Sequence, residues 1–189
     1  MKKLFFLIAA FALIITSVDI QAQSRYTLGS DPEFKVSGTS TLHDWEMVST
    51  EASGRAAIET DGRSITGIRS LELSLKAESL KSGTSRMDRN AYSALNTSSH
   101  PNIKFTLNEV VNITANQVTA RGTLTISGKS NTVTLKTDYN VRGNRITFSG
   151  KHEITFSEYD LDAPTAMLGT VRTGEDLTLE FNATFLTTN

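Results

Sequence analysis

The residues best placed to do chemistry lie early in the chain, at His43-Asp44-Trp45, which holds one of three histidines and the single tryptophan. A His beside an Asp could polarise a water or bind a metal. Adjacent residues in a strand, however, point to opposite faces. Asp also makes side-chain turns readily, so the pair reads as a turn with a histidine near the mouth of a larger body. His100 precedes Pro101 in a loop, and His152 falls on an apolar face, where a lone histidine is more often a hydrogen-bonded core residue than a ligand. Three histidines without paired spacing do not make a zinc site. Asp160 and Asp162 lack the glycine and terminal glutamate of a calcium loop. No Gly-x-Ser-x-Gly elbow, phosphate loop or dinucleotide fingerprint occurs. Arg86 and Arg89, at a helix start, could meet an anionic head group, and a solvated helix face explains them somewhat better. No catalytic residue, metal ligand or cofactor is expected. A hydrolase or isomerase built on His43 and Asp44 is the least supported reading.

Charge and composition narrow the field further. The 189 residues carry 19 basic and 20 acidic side chains, a formal charge of −1, with no basic patch or charge run. Nucleic-acid binding is therefore unsupported. Residues 1–22 read as a signal peptide: Lys2 and Lys3 precede an apolar run from Leu4 to Ile15, and Ile20-Gln21-Ala22 offers a cleavage site. The run is too short to span a bilayer as a helix, which takes about 20 residues. The protein is expected to be exported, periplasmic or secreted, and not membrane-spanning. Without cysteine there is no acylated cysteine, disulfide or thiolate metal site. Residues 23–189 suit one domain with its own core.

The elements that must position any site are strands, with one exception. Met87, Ala91, Tyr92 and Leu95 recur at helical spacing and predict an amphipathic helix. A Ser85/Asp88 capping box would open it, Asn96 would end it, and Pro101 bars its continuation. Elsewhere the period is two. Leu71, Leu73, Leu75 and Ala77 alternate with Glu72, Ser74, Lys76 and Glu78. Ile103, Phe105 and Leu107 follow the helix, then Val118, Ala120, Gly122, Leu124 and Ile126. Val133, Leu135, Tyr139 and Val141 take the next strand. Ile146, Phe148, Gly150, Ile154 and Phe156 come after it, and Leu177, Leu179, Phe181, Ala183 and Phe185 close the chain. Near the start, 25–29 and 34–37 read as short strands and 45–58 as one strand of mixed parity. The stretch 158–175 reads as the longest loop, exposing Met167, Leu168 and Val171.

Such alternation defines an antiparallel sheet with one dry side. Sequential tight turns favour closing about eight strands into an up-and-down barrel, because closure removes the edges. The inward positions are Leu, Ile, Val, Phe, Ala and Gly, almost without charge. Periodicity leaves two interiors open. A solid core is the default, while the small residues Ala77, Ala120, Gly122, Gly150 and Ala183 lean toward a cavity.

In this order the residues resemble the YceI-like family, also described as polyisoprenoid-binding or lipid-binding lipocalin-like domains. The resemblance covers residues 23–189. It rests on Ser40-Thr41-Leu42-His43-Asp44-Trp45 and on the helix running into Pro101-Asn102-Ile103-Lys104-Phe105. It continues through Gly122-Thr123-Leu124-Thr125-Ile126-Ser127-Gly128, Val133-Thr134-Leu135, and Thr173-Gly174-Glu175-Asp176-Leu177. Where other branches carry an Arg-Asp-x-His-Leu pattern on the helix, this chain reads Met87-Asp88-Arg89-Asn90-Ala91-Tyr92. The resemblance implies an all-β fold: a single eight-stranded antiparallel lipocalin-like barrel with one mid-chain α-helix and a long apolar pocket. Its wall would include Leu71, Leu73 and Leu75, then Met87, Tyr92 and Leu95 of the helix, then Ile103, Phe105, Leu124 and Ile126. Leu135, Phe148, Phe156, Leu179 and Phe181 would complete it, with His43, Trp45, Arg86 and Arg89 facing a head group. The function implied is an exported carrier of a long hydrophobic amphiphile, an isoprenoid or other lipid, held non-covalently. The alternative is a cell-envelope interaction module with a solid barrel and a protein-binding loop at 158–175. Either suits a monomer or a homodimer.

Overall fold

Ribbons that are polar on one face and apolar on the other can all bury their dry faces at once by curling into a closed sheet. The computed structural model describes residues 24–166 and 168–188. The signal-peptide reading of 1–22 and the placement of Met167 lie outside the described residues. In chain order the strands are β1 (Ser24–Leu28), β2 (Glu33–Ser40), β3 (Trp45–Ser49), β4 (Ala52–Thr60), β5 (Ile65–Lys76), β6 (Asn102–Ile113), β7 (Gln117–Ile126), β8 (Lys129–Arg142), β9 (Arg145–Thr155), β10 (Thr165–Ala166) and β11 (Val171–Thr187). One helix, α1 (Ser85–Ala94), lies between β5 and β6.

All pairings are antiparallel, running β4-β5-β6-β7-β8-β9-β11. The last strand then returns to the beginning of the chain. It pairs β2 from Thr173↔Ser40 to Asn182↔Glu33, and β1 from Phe185↔Leu28 to Thr187↔Tyr26. β1 pairs β4, and β2 pairs β3. So β1 and β2 form one interrupted wall, β3 and β4 the next, and the whole closes as an eight-stranded antiparallel barrel.

Three local expectations are corrected. The stretch 45–58 is two strands, because the Ser49 hydroxyl accepts the Glu51 amide at 3.1 Å and replaces a ladder bond. The break switches parity, burying Met47 and Ser49 before it and Ala56 and Ile58 after it. The stretch 158–175 is mostly structured: Ser157–Tyr159 makes a 3-10 turn, and β10 folds back on β11 with Thr165 opposite Arg172. Finally, Ser85 caps nothing. Thr84 precedes α1 in extended conformation, and Asp88 reaches back to the Ser82 amide at 2.8 Å and its hydroxyl at 2.7 Å. Those bonds, the backbone one first, hold the Asp88 carboxyl below the usual carboxylate range. Asn96 does end the helical segment, in the left-handed conformation.

The barrel has unlike ends. At one, tight connections at 61–64, 114–116 and 143–144 meet the start of β1 and the finish of β11. At the other lie the long connections 41–44, 77–101 and 156–170. The outer wall is polar, with ion pairs such as Arg55–Glu72 at 2.7 Å and Arg69–Glu59 at 2.5 Å across neighbouring strands. That is the reverse of a lipid-embedded barrel, whose outer face is apolar.

The interior is divided too. Near the tight end, Tyr26, Ile58, Ile65, Val118, Tyr139, Ile146 and Phe185 form a packed floor. The Tyr139 hydroxyl donates to the Thr114 carbonyl at 2.7 Å and accepts the Ile65 amide at 3.2 Å, so it is satisfied within the floor. Higher up, Gly122 lies under a ring: a Cβ there would sit 2.3 Å from Phe105 Cζ and 2.8 Å from the Thr106 carbonyl oxygen. Gly122→Ala is therefore expected to destabilise by ~1–3 kcal/mol, as overpacking does, measured by denaturant titration.

Candidate functional site

Above the floor the barrel is hollow, with a cavity of about 770 Å³ reaching the end that carries the long connections. Its wall is built from the inward parity of each strand: Leu71, Leu73 and Leu75 from β5, Ile103 and Phe105 from β6, Leu124 and Ile126 from β7, Leu135 from β8. Phe148 and Phe156 join from β9 and just beyond it, with Leu179 and Phe181 from β11. Met87 and Leu95 bring the apolar stripe of the helical segment over the opening. Sequence reasoning missed Phe34, Val36, Met47 and Thr137, which also line it. Phe34 and Val36 alternate in the right parity, and Thr137 lies between Leu135 and Tyr139 on the same face, so period two could have found all three.

Tyr92 and Arg89 are corrected. Tyr92 turns away from the cavity, because its hydroxyl has better partners: it lies 2.8 Å from the Leu80 carbonyl and 2.9 Å from that of Glu78, and accepts Lys81 Nζ at 2.6 Å. The Lys81 ammonium also stands 5.0 Å from the ring centroid, and its bond to Tyr92 raises its pKa. Thr97 closes the same corner by donating to Glu78 at 2.7 Å. Tyr92 thus fixes the helical segment to the barrel instead of offering itself to a ligand. Arg89 is exposed and does not reach the cavity, whereas Arg86 stands at its edge.

At the mouth, His43 and Trp45 both line the cavity. The Ser40 hydroxyl accepts the amides of Leu42 and His43 at 3.2 Å each and donates to the His43 carbonyl at 2.7 Å, which makes this stretch a turn. Trp45 Nε1 donates to the Thr39 carbonyl at 3.0 Å. His43 Nδ1 lies 2.6 Å from the backbone carbonyl of Asp44, not from its carboxylate, so the two side chains form no acid–base pair. Asp160 pairs with Lys129 at 2.6 Å. Among the described residues no three His, Asp or Glu side chains converge on a metal-sized site. No described helix is long and apolar enough to cross a membrane.

Two polar groups stand apart. His152, opposite Leu179 in the β9–β11 ladder, is half-buried and does not line the cavity. Burial lowers its pKa, opposed by Glu158 and Glu153. A histidine depressed in this way contributes stability that is complete above its unfolded value near 6.5 and lost as pH falls through the lower folded value. Melting temperature should therefore decline below about pH 6.5, and His152→Gln should flatten that limb. The second group is Tyr159, which lines the cavity and is 2 % exposed. Its hydroxyl has no hydrogen-bond partner among the described residues, and burial pushes its pKa up to about 12. Asn131 approaches it, but Asn131 Nδ2 donates to the Glu158 carbonyl at 2.5 Å.

A floored antiparallel barrel with an apolar lumen and a helix at its mouth is a lipocalin-like barrel, a fold whose interior suits side chains or one small ligand. Within that class the chain belongs to the YceI-like domain family, which it matches over residues 21–185. Among solved structures it is similar to BcnA of Burkholderia cenocepacia, with 17% identity and a TM-score of 0.68, covering 82% of this chain and 99% of that one. It is also similar to a polyisoprenoid binding domain from Saccharophagus degradans implicated in plant cell wall breakdown, with 12% identity, a TM-score of 0.66, and 86% and 98% of the two chains covered. A Campylobacter jejuni YCEI protein aligns with 20% identity and a TM-score of 0.59 over 74% of this chain and 82% of that one. At these identities the likeness establishes the fold. No curated protein sequence matches the chain.

Proposed function

We propose that the protein is exported, with residues 1–22 as its signal peptide, and that it carries a long hydrophobic amphiphile, an isoprenoid or other lipid, in the barrel lumen. The observation that carries this reading is the 770 Å³ cavity with its predominantly aliphatic and aromatic wall. At about the 30 Å³ that a water takes up, the space admits on the order of 25 carbon-sized groups. Each methylene removed from water contributes ~0.8 kcal/mol, so a chain of that size needs few polar contacts to bind tightly. His43, Trp45 and Arg86 stand where a head group would leave the lumen. Family membership supports the reading, as does the fold shared with a domain described as polyisoprenoid binding. Carriage needs no bond making, and the proposal includes no catalytic step. The interaction-module alternative presumed a solid barrel, a premise at odds with the hollow upper half.

The test is mass spectrometry of protein isolated from its native host, under native conditions and again after organic extraction. A discrete added mass that extracts as a prenyl or acyl species is expected. A bare polypeptide mass, together with added isoprenoids that fail to raise the melting temperature, would overturn the proposal.

A further inference from the structure

Three large hydrophobic side chains stand exposed among the described residues: Leu42, Val111 and Leu168. One lies on the rim of the lumen, and another on a hairpin whose Thr165 and Val171 line it. Leu42, 67% exposed in the connection after β2, also lines the cavity. Leu168, 108% exposed, sits at the tip of the β10–β11 hairpin. The two tips form one hydrogen-bonded unit: the Thr41 amide donates to the Arg172 carbonyl at 2.9 Å, and the Arg172 amide donates to the Thr41 hydroxyl at 3.1 Å. Leu168 also adopts a left-handed backbone, φ 55°, next to Gly169 at φ 85°. A leucine there is strained where Asn would not be, and its side chain gains nothing from water. Strain and full exposure at one residue direct attention to that tip.

We propose that this rim docks on a lipid bilayer, with Leu42 and Leu168 entering the interface and the lumen opening onto it. Leu42, Pro164 and Val171 line the cavity and join the leucine tips to the apolar lumen, so a ligand chain passes between membrane and barrel along apolar side chains. Two leucines on neighbouring tips are too little for a protein interface, which needs on the order of 1,000 Å², but they match shallow interfacial anchoring. Charges around the rim are of both signs, Asp44 and Asp162 beside Arg86 and Arg172, so attachment is apolar and largely indifferent to salt. The docking supplies the ligand of the carrier reading and rests on it for its purpose. Vesicle binding itself is measured without reference to the lumen's contents.

The experiment floats the protein, in the form in which it accumulates in its host, with phosphatidylcholine vesicles with and without phosphatidylglycerol. Wild type is expected to float with both, at low and high salt. Leu168→Asn keeps a residue that tolerates the left-handed turn but removes the anchor. It should lower partitioning about tenfold while leaving the lumen's affinity for an added isoprenoid unchanged and the melting temperature unchanged or higher. Leu42→Asn should lower partitioning as well, and Val111→Asn, on the outer wall, should not. Wild type that ignores vesicles would overturn the proposal. So would flotation confined to anionic vesicles at low salt, or Asn variants at Leu42 and Leu168 that float like wild type. Flotation by wild type that carries no added mass and gains no melting temperature from added isoprenoids would sink the carrier reading and leave the docking standing.

Discussion

Replacing Ala120 with Phe is expected to leave the barrel folded and to exclude a long ligand from its lower lumen. Ala120 lies opposite Val110 and Leu135, lines the cavity, and packs against the floor cluster. A phenyl ring there enters empty apolar space and brings no polar atom to satisfy. The melting temperature of the unliganded protein should hold or rise, as cavity-filling changes commonly stabilise by about 0.5–2 kcal/mol. A bound chain, however, loses the volume that the ring takes. Excluding about four methylenes costs ~3 kcal/mol, which weakens binding by more than a hundredfold. Trp45 lines the cavity, so its fluorescence provides the titration signal. Shorter chains should bind the variant and wild type alike. Unchanged affinity for the longest chains would mean that ligands do not occupy the lower lumen.

Phe185→Ala is expected to give the largest loss of stability. Phe185 is 1% exposed, and its ring stands nearly perpendicular to Phe148 with centroids 5.9 Å apart. Gly54 faces it closely enough that a Cβ there would come within 3.3 Å of Phe185 Cζ, so the ring fills its site. Removing such a side chain costs about 3–5 kcal/mol, from lost burial and from the cavity left behind. At roughly 2–4 °C per kcal/mol for a chain of this size, the melting temperature should fall by about 10 °C or more. A loss below ~1 kcal/mol would mean that the floor is loosely packed and that the hollow continues to the tight end.

Period-two alternation made most of the barrel legible, because one-sided burial acts on every strand from Ile65 onward. The helix was legible for the same reason at another period, with Met87 and Leu95 on one stripe. Its neighbour Tyr92 was misread: hydrophobic spacing predicts a face but not the pull of two free carbonyls and an ammonium on a phenol. The break between β3 and β4 escaped notice because it depends on one hydroxyl, that of Ser49, competing for an amide. The division between floor and lumen was hidden for a different reason. Leu124 and Ile146 read identically along the chain, and only the radius of the closed sheet determines whether side chains meet across the middle. Of the head-group set, Arg86 and Arg89 were chosen as a pair from a helix start, where three residues carry a side chain about 4.5 Å along the axis, enough to leave the mouth.

The pairing of the last strand with the first also has a kinetic consequence. Tyr26 and Thr187 are opposite each other in the wall, about 160 residues apart in the chain, and folding slows as pairings of such separation dominate. Hairpins such as β7–β8 can form as soon as they are synthesised, yet the ribbon keeps two open edges until its final segment arrives. Cooperative folding is therefore deferred until β11 has been synthesised. A chain that stays open until then can still be threaded through a narrow channel, which accords with the proposed export.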